Sequence, residues 1–280
     1  MLIAQFSDTH IKPEGQLAYS VVDTHQMLSQ AIDHLLQLPQ QPDVVIISGD
    51  LVDAGSVVEY QRLAVLLQRL PMPVLMVPGN HDDREHMRLV FRDHPGIETT
   101  GFWQFALQFD PWPVRIIGVD TVMAGISGGR LCAERLSWLD TVLAQAPDTP
   151  TLVVMHHPPF ITGIGHMDDI GLEQRQAFAQ VIGQHPQIER IVCGHLHRHI
   201  HALVSGRSVL TSPSTAHTVQ LDLARDAAAE FRLEPAGYLL HWWNGEQLVT
   251  HQAHAVQSAG PYPFFDESGQ LILGNVDDSG

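Results

Sequence analysis

The sequence has few cysteines, few basic residues and no long apolar run. Its two cysteines, Cys132 and Cys193, form neither a CxxC pair nor a disulfide framework, which suits a reducing cytoplasm. No run approaches the roughly 20 apolar residues of a membrane span. The first residues, 1–6, also lack the basic segment and apolar core of a signal peptide. We therefore expect a cytoplasmic protein that has no contact with a membrane.

The charge balance is strongly acidic. Fifteen Lys and Arg residues stand against 31 Asp and Glu residues, and the formal net charge is −16. Binding along a nucleic-acid polymer depends on basic contacts to phosphates, so this balance argues against such a partner. It does not exclude a small phosphate substrate, because bound metal ions can reverse the local field.

The first eighty residues alternate between strand and helix patterns. Apolar runs at 2–6, 44–47 and 74–77 predict buried strands, and helically spaced leucines between them predict two helices that stop near Pro39 and Pro71. Further strands are expected at 105–109, 114–119, 151–155 and 191–193, and further helices near 136–143 and 178–182. This alternation is typical of a layered α/β fold, and 280 residues with 44% hydrophobic content can fill its core.

The pattern changes after about residue 205. Strands are predicted at 208–211, 217–221, 238–243 and 247–252, with no long helix between them. The Asn244-Gly245 pair predicts a hairpin with a type I′ turn. Residues from about 260 onward are rich in Gly, Pro and Asp and are expected to be loosely held or to form an arm. We predict a core over residues 1–205 and a β-rich C-terminal segment over residues 206–280.

Metal-binding side chains follow five of the predicted strands, at the point where each strand ends. In open α/β sheets, ligands gather beyond the carboxyl ends of the strands, so we expect one shared site. Seven residues are candidate metal ligands, and His81 lies beside one of them. The seven are Asp8, His10, Asp50, Asn80, His156, His195 and His197.

The chemistry of these side chains indicates two metal ions. Oxygen and imidazole ligands without thiolates suit Zn, Fe, Mn or Co, and the sequence does not decide among them. Seven ligands are too many for one tetrahedral ion but suffice for two ions that share a carboxylate, for which Asp50 is the natural bridge. Two such ions activate water and draw charge from a phosphoryl group in phosphoester cleavage. His81 could contact that group or protonate the leaving oxygen.

The motifs resemble those of the calcineurin-like metallophosphoesterases. The five blocks occur in order over roughly residues 1–200: Asp8-x-His10, Gly49-Asp50, Gly79-Asn80-His81-Asp82, His156 and Gly194-His195-x-His197. The opening around Asp8, the Met-His-His-Pro-Pro block at 155–159 and the strands after Thr211 look most like the bacterial branch of class III cyclic-nucleotide phosphodiesterases and the related glycerophosphodiesterase. The loop at 163–169 has no motif of that branch, so substrate choice stays open.

This resemblance implies a fold, a ligand set and an assembly. The fold would be a four-layer αββα sandwich of two mixed β-sheets flanked by helices, with a β-rich C-terminal extension that completes a sheet and forms a cap or dimerisation arm. Relatives often pair these extensions into homodimers or larger oligomers. One metal would be held by Asp8, His10, Asp50 and His197, the other by Asp50, Asn80, His156 and His195. The histidines on the substrate side would be His81 and His217.

The predicted function is a binuclear metal-dependent phosphodiesterase in which a metal-bound hydroxide attacks small diesters, either 3′,5′-cyclic nucleotides such as cAMP or glycerophosphodiesters. A phosphomonoesterase, a nucleotide pyrophosphatase or a nuclease on the same scaffold is an alternative, and so is a non-enzymatic scaffold held together by metal. Several nearby polar residues are expected to support the site or to be solvated, although three of them could shape the substrate mouth. The supporting or solvated group comprises Asp53, Asp82, Asp83, His157, His199 and His201, and the three mouth candidates are His166, Asp168 and Asp169.

Overall fold

The protein is described by a computed structural model that covers residues 1–256 and 258–272. Within these residues six helices alternate with sixteen strands. The helices are α1 Thr24–Leu36, α2 Val57–Leu67, α3 Arg84–Val90, α4 Ala133–Ala144, α5 Gly165–Asp168 and α6 Arg175–Gly183. The strands are β1 Leu2–Phe6, β2 Val44–Ser48, β3 Val74–Val77, β4 Phe105–Leu107, β5 Arg115–Val119, β6 Val122–Met123, β7 Ile126–Arg130, β8 Thr151–Met155, β9 Leu172–Glu173, β10 Ile188–Cys193, β11 Ile200–Val204, β12 Arg207–Thr211, β13 Thr218–Val219, β14 Phe231–Arg232, β15 Gly237–Trp243 and β16 Leu248–His254.

The first large sheet has the order β16-β15-β1-β2-β3. Its three N-terminal strands are parallel, and the hairpin of β15 and β16 joins them antiparallel along β1. The second large sheet has the order β11-β12-β10-β8-β5-β4, with a parallel centre and an antiparallel strand at each edge. Both sheets are therefore mixed. Two small sheets, β13-β14 and β6-β7-β9, are separate from them.

Alternate residues of the central strands point to different layers of the core. In β1 and β2, Phe6 and Val45 belong to a cluster shared with α1 and α2, whereas Ile3 and Ile46 belong to a cluster between the two sheets. The second sheet contributes residues such as Val154 to that central cluster and packs its other face against α4 and α6. Because side chains alternate across a strand, both sheets are covered on both faces. The four-layer sandwich of the predicted fold is thus confirmed.

Three local predictions need correction. The hairpin after β15 forms, but Trp243 pairs with Leu248, so its loop has four residues rather than a two-residue type I′ turn. Asn244 instead accepts backbone hydrogen bonds from residues 246 and 247, and only Gly245 takes a positive φ in this loop. The predicted strand at 217–221 shortens to β13, and the predicted loop at 163–169 contains α5. The last predicted stretch lies partly outside the described residues, which stop at 272.

None of the helices within residues 1–256 and 258–272 has the length and apolar character that crossing a lipid bilayer requires.

The layer between the sheets gives a direct stability prediction. Ile46 is 1% exposed there, so Ile46→Ala should lower the free energy of unfolding by about 3 kcal/mol, through lost burial and the cavity left behind. Leu203→Ala is the control, because Leu203 is also in a strand but is 70% exposed and should cost less than about 0.5 kcal/mol. Urea unfolding followed by circular dichroism measures both values. Equal losses for the two variants would contradict the placement of Ile46 between the sheets.

Candidate metal centre

The predicted ligands meet where the carboxyl ends of five strands come together. Strands β1, β2 and β3 lead into Asp8 and His10, then Asp50, then Asn80 and His81, and β8 and β10 of the other sheet lead into the remaining three histidines. A backbone hydrogen bond ties Asp8 N–H to the Gly49 carbonyl at 3.0 Å. The backbone N–H of His195 donates to Asp8 Oδ1 at 2.9 Å, and this bond connects the two sheets. The predicted convergence is therefore present.

The first group of side chains is Asp8, His10, Asp50 and His197, which offer four possible ligand atoms within 4.8 Å of one another. His197 Nε2 lies 3.2 Å from His10 Nε2 and 3.5 Å from Asp8 Oδ1. Asp50 Oδ2 is 3.7 Å from His10 Nε2. All four residues are buried. Carboxylate and imidazole atoms at this spacing could hold one divalent cation.

The second group also contains Asp50. His156 Nε2 lies 3.4 Å from Asp50 Oδ2 and 3.1 Å from Asn80 Oδ1. The ring of His195 is 5.1 Å from that of His156, and its Nε2 is buried without a hydrogen-bond partner. Because Asp50 Oδ2 contacts ring nitrogens of both groups, this one carboxylate stands between two clusters of possible ligands.

The electrostatics of the cluster fit cations. Asp8 Oδ2 is buried and has no hydrogen-bond partner, which is costly for a carboxylate unless a positive charge lies nearby. Burial raises the pKa of Asp8 to about 6. Burial alone would lower the pKa of His156, but the Asp50 and Asp8 carboxylates outweigh it and raise that pKa to about 9. Without metal, bound protons would have to supply the positive charge that the cluster requires. A divalent cation carries twice the charge of a proton and therefore balances the carboxylates better.

Backbone carbonyls orient the histidine rings. His156 Nδ1 donates to the Ser48 carbonyl at 2.9 Å, and His197 Nδ1 donates to the His217 carbonyl at 3.0 Å. His81 Nδ1 donates to the Asp53 carbonyl at 2.7 Å. For His156 and His197 this bond places the proton on Nδ1 and leaves the Nε2 lone pair available, which is the usual arrangement of histidines that bind metal.

The backbone at this centre is strained. Five of the predicted ligands have left-handed φ angles between 42° and 71°, a region that residues other than glycine rarely adopt: Asp8, His10, Asp50, His195 and His197. Such strain costs about 1–3 kcal/mol for each residue and persists where the surrounding structure enforces it. Its concentration at the strand ends indicates that the fold places these side chains at the expense of stability.

Three glycines allow the loops to approach each other closely. A Cβ on Gly49 would lie 2.3 Å from His156 Nδ1, and one on Gly79 would lie 2.2 Å from Asp50 Oδ1. A Cβ on Gly194 would lie 2.2 Å from the Ser7 hydroxyl oxygen and 2.9 Å from Asp8 Oδ2. The glycines before Asp50, Asn80 and His195 are therefore steric requirements of the centre.

His157 is not available as a ligand. Its Nε2 donates to the Ser127 carbonyl at 3.0 Å, and its Nδ1 accepts from the Thr121 hydroxyl at 2.7 Å. Burial and the neighbouring His156 lower the pKa of His157 to about 3, so the ring is neutral. Although its nitrogens lie near those of His195, both are already used, which agrees with the predicted supporting role.

The neighbouring carboxylates hold the loops in place. Asp82 accepts from the backbone N–H of Gly79 at 2.8 Å, from that of Leu51 at 3.1 Å and from the Tyr60 hydroxyl at 2.9 Å. Burial, together with the charge of Asp50, raises the pKa of Asp82 to about 6. Asp82 thus ties the loop that carries Asn80 to the loop that carries Asp50.

Two other carboxylates have separate roles. Burial alone would raise the pKa of Asp53, but the neighbouring His10 and Lys12 outweigh it and hold that pKa below its usual value. The Asp53–Lys12 contact is 2.7 Å long. Asp83 caps α3 by accepting from the backbone N–H of His86.

Other residues lie outside the ligand groups. Asp168 accepts from the backbone N–H groups of Thr162 and Gly163 and so shapes the loop around α5. Within the described residues, His166 and Asp169 form no hydrogen bond or ion pair with the predicted ligands. His199 and His201 bond to Thr211 and Ser208 of the adjacent strand. Asp120 also follows a strand, but it pairs with Arg84 and is not part of the centre.

Sequence patterns missed two aromatic neighbours of the centre. The ring of His217 lies 4.4 Å from that of His197 and 5.4 Å from that of His10. Tyr19 and Phe231 lie against His217, with ring centroids 5.0 and 5.2 Å away. Nothing in their spacing marks them, because a turn and a two-residue strand far apart in the chain bring them together.

The fold and the cluster define a class of protein, a metal-dependent hydrolase built on a double β-sheet sandwich. The sequence model of the calcineurin-like phosphoesterases matches residues 1–199, and the chain belongs to this family. Calcineurin-like phosphoesterases use two divalent metal ions, and the Asp and His groups described above can hold them.

Similar proteins agree with this membership. The chain is 41% identical over 274 residues to the probable glycerophosphodiester phosphodiesterase GpdQ of Arcobacter nitrofigilis, covering 97% of this chain and 100% of that one. It is 33% identical to a probable cyclic nucleotide phosphodiesterase of Synechococcus, covering 88% and 94% of the two chains. A crystal structure of a dimetal phosphatase from Danio rerio has the same fold, with a TM-score of 0.62 and 15% identity over 92% of this chain and 97% of that one.

The close approach at Gly79 gives a test of the centre. Gly79→Ala should weaken metal binding by more than about tenfold, because its Cβ would displace the Asp50 carboxylate. Gly183→Ala is the matched control, since a Cβ there would meet its nearest atom at an ordinary 3.5 Å. Metal content after gel filtration, measured by inductively coupled plasma mass spectrometry, compares the two. Full metal content in Gly79→Ala would show that Asp50 does not bind metal.

Proposed function

We propose that this chain hydrolyses small phosphodiesters at a binuclear centre in which Asp50 bridges the two ions. One ion would be held by Asp8, His10, Asp50 and His197, and the other by Asp50, Asn80, His156 and His195. The observation that carries this proposal is the position of Asp50 Oδ2, which lies 3.7 Å from His10 Nε2 and 3.4 Å from His156 Nε2. A carboxylate between two ligand groups is suited to hold two cations at once.

The ions, when bound, would activate water and withdraw charge from the phosphoryl oxygens. His81 is held beside them, because its backbone N–H donates to Asp50 Oδ1 at 2.9 Å and its Nδ1 donates to the Asp53 carbonyl. Its ring lies 4.7 Å from that of His10, and its side chain is only partly buried, so its Nε2 can reach a bound phosphate. We propose that His81 positions the phosphoryl group or gives a proton to the leaving oxygen. His217 would contact the substrate from the other side of His10.

Diester substrates are supported by the relatives and by charge. The two relatives named above are a probable glycerophosphodiester phosphodiesterase and a probable cyclic nucleotide phosphodiesterase, so both diester classes are candidates. A monoester dianion carries one more negative charge than a diester and favours an additional cation. Lys12, the only lysine in the sequence, is already paired with Asp53. A singly charged diester therefore fits this centre better than a monoester.

We also propose how the chain is organised. The phosphoesterase core would span residues 1–205, and residues 206–280 would complete the first sheet through β15 and β16 and supply a cap or an arm for homodimers or larger assemblies. Three exposed aromatic residues support the arm, since Tyr262, Phe264 and Phe265 are 76%, 79% and 58% exposed. A cytoplasmic location is supported by the two cysteines, both of which are free thiols.

The ligand assignment is tested at Asn80. Asn80→Ala should reduce the metal content from two ions per chain to about one, because only the second ion would use the amide oxygen, and turnover should fall by at least about tenfold. Asn244→Ala, in the exposed loop between β15 and β16, is the matched control and should keep both ions. The assignment is wrong if Asn80→Ala retains two ions and full turnover.

The substrate class is tested by a panel of esters on protein loaded with Mn, Zn, Fe or Co. Rates for cAMP, cGMP, glycerophosphoethanolamine and bis(4-nitrophenyl) phosphate are compared with the rate for 4-nitrophenyl phosphate. We expect the diesters to be cleaved at least about tenfold more efficiently than the monoester, because the second negative charge of the monoester favours a further cation and Lys12 is already paired with Asp53. A faster monoester would identify a phosphomonoesterase. Metal-loaded protein that hydrolyses none of these esters would instead support a non-enzymatic binding scaffold.

A further inference from the structure

Two aromatic rings, those of Tyr19 and Phe231, are separated from the candidate metal centre by the ring of His217. The ring of His217 contacts the centre, 4.4 Å from His197 and 5.4 Å from His10. On its other side are Tyr19 and Phe231, whose ring centroids are 5.0 Å apart and tilted by 36°. The order from the centre outward is therefore His10 or His197, then His217, then the aromatic pair.

The turn that carries Tyr19 is unusual. Ala18 and Val22 exchange two backbone hydrogen bonds, each 2.9 Å long, and these close a three-residue loop. Within the loop Tyr19 and Ser20 have φ angles of 48° and 63°. Residues other than glycine seldom adopt this region, and two in a row add to the cost. No glycine relieves the strain, so the loop holds a bulky ring in a conformation that folding alone does not favour.

Burial does not explain the position of Tyr19. Its side chain is 56% exposed, so it adds little to the core. The residues beneath it are fixed, because Ala18, Val22 and Ala216 form a buried cluster against which Phe231 packs. Phe231 is held in register by β13, where it pairs with Val219 two residues after His217. The exposed ring of Tyr19 therefore lies on a buried cluster and contacts the ring of Phe231.

We infer that Tyr19 and Phe231 form an aromatic wall that receives the planar organic group of a phosphodiester, an aryl ring or a nucleobase, while the phosphate lies at the metal centre. The inference rests on the proposed function and deepens it by naming a specificity determinant. Aromatic groups attract each other in offset or edge-on arrangements at centroid distances of about 4.5–7 Å, and a ring-free ester gains much less from such a surface. The wall therefore favours nucleotide and aryl diesters over ring-free diesters.

The first measurement uses binding rather than turnover. Phenylphosphonate and methylphosphonate carry the same anionic group and resist hydrolysis, so calorimetry on metal-loaded protein compares a ring with a methyl group. We expect the wild type to bind phenylphosphonate about fivefold more tightly than methylphosphonate. Tyr19→Ala should remove most of this preference, and Tyr19→Phe should keep it, because the ring and not the hydroxyl makes the contact.

The second measurement is the ratio of KM values for bis(4-nitrophenyl) phosphate and ring-free glycerophosphoethanolamine. Tyr19→Ala should raise this ratio about fivefold above the wild-type value, and Tyr19→Phe should leave it at the wild-type value. Leu17→Ala, which changes another exposed residue two positions away, is the control and should leave both the ratio and the phosphonate preference unchanged.

The outcomes separate the two levels of the proposal. Equal binding of the two phosphonates by the wild type, or equal weakening of both by Tyr19→Ala, would overturn the aromatic wall. Protein that binds phenylphosphonate selectively through Tyr19 but cleaves no phosphodiester would keep the wall and refute the proposed function. Protein that cleaves diesters but whose substrate preference does not depend on Tyr19 would keep the proposed function and refute the aromatic wall.

Discussion

The structure depends on one electrostatic constraint, the accumulation of carboxylates and imidazole lone pairs around Asp50. Asp8 and Asp50 are buried side by side, and hydrogen bonds from the Nδ1 groups of His156 and His197 to backbone carbonyls leave two Nε2 lone pairs available around them. Such a cluster is unfavourable in a protein interior unless positive charge is added. Divalent cations provide that charge, so metal binding and the stability of this region are expected to be linked.

The same constraint explains the shape of the loops. Ligands from both sheets can approach each other only if the chain turns sharply at the end of each strand. The left-handed φ angles of Asp8, Asp50 and His195 make these turns, and the glycines at 49, 79 and 194 leave room for the neighbouring loop. Asp82 then ties two of the loops together through its bonds to Gly79 and Leu51. Backbone strain is thereby offset by a dense set of hydrogen bonds and, when present, by metal.

Much of the architecture could be predicted because it follows from local patterns. The runs at 2–6, 44–47 and 74–77 are apolar except for Gln5, as expected of strands buried on both faces, and each is followed within three residues by a side chain that can bind metal. The strand ends therefore indicated both the sheets and the cluster between them. His157 was predicted to support the site, since neighbours at a strand end point in different directions, and its ring donates to the Ser127 carbonyl.

The features that sequence patterns missed depend on contacts between distant segments or on loop geometry. Asn244-Gly245 is typical of a type I′ turn, but the register of β15 and β16 leaves four residues in the loop, and the Asn244 side chain closes it instead. The pairing of Tyr19 with Phe231 joins residues separated by more than two hundred positions. Strand β14, which holds Phe231, has only two residues and gives no periodic signal. Such contacts can be recognised only after the fold has been assembled.

The binuclear centre can be tested by anomalous diffraction from crystals soaked in excess Mn or Zn. We expect two anomalous peaks for each chain, one on each side of the Asp50 carboxylate, the first within the group of Asp8, His10 and His197 and the second within the group of Asn80, His156 and His195. A single peak, or two peaks that do not share Asp50, would show that the centre is not binuclear around this carboxylate.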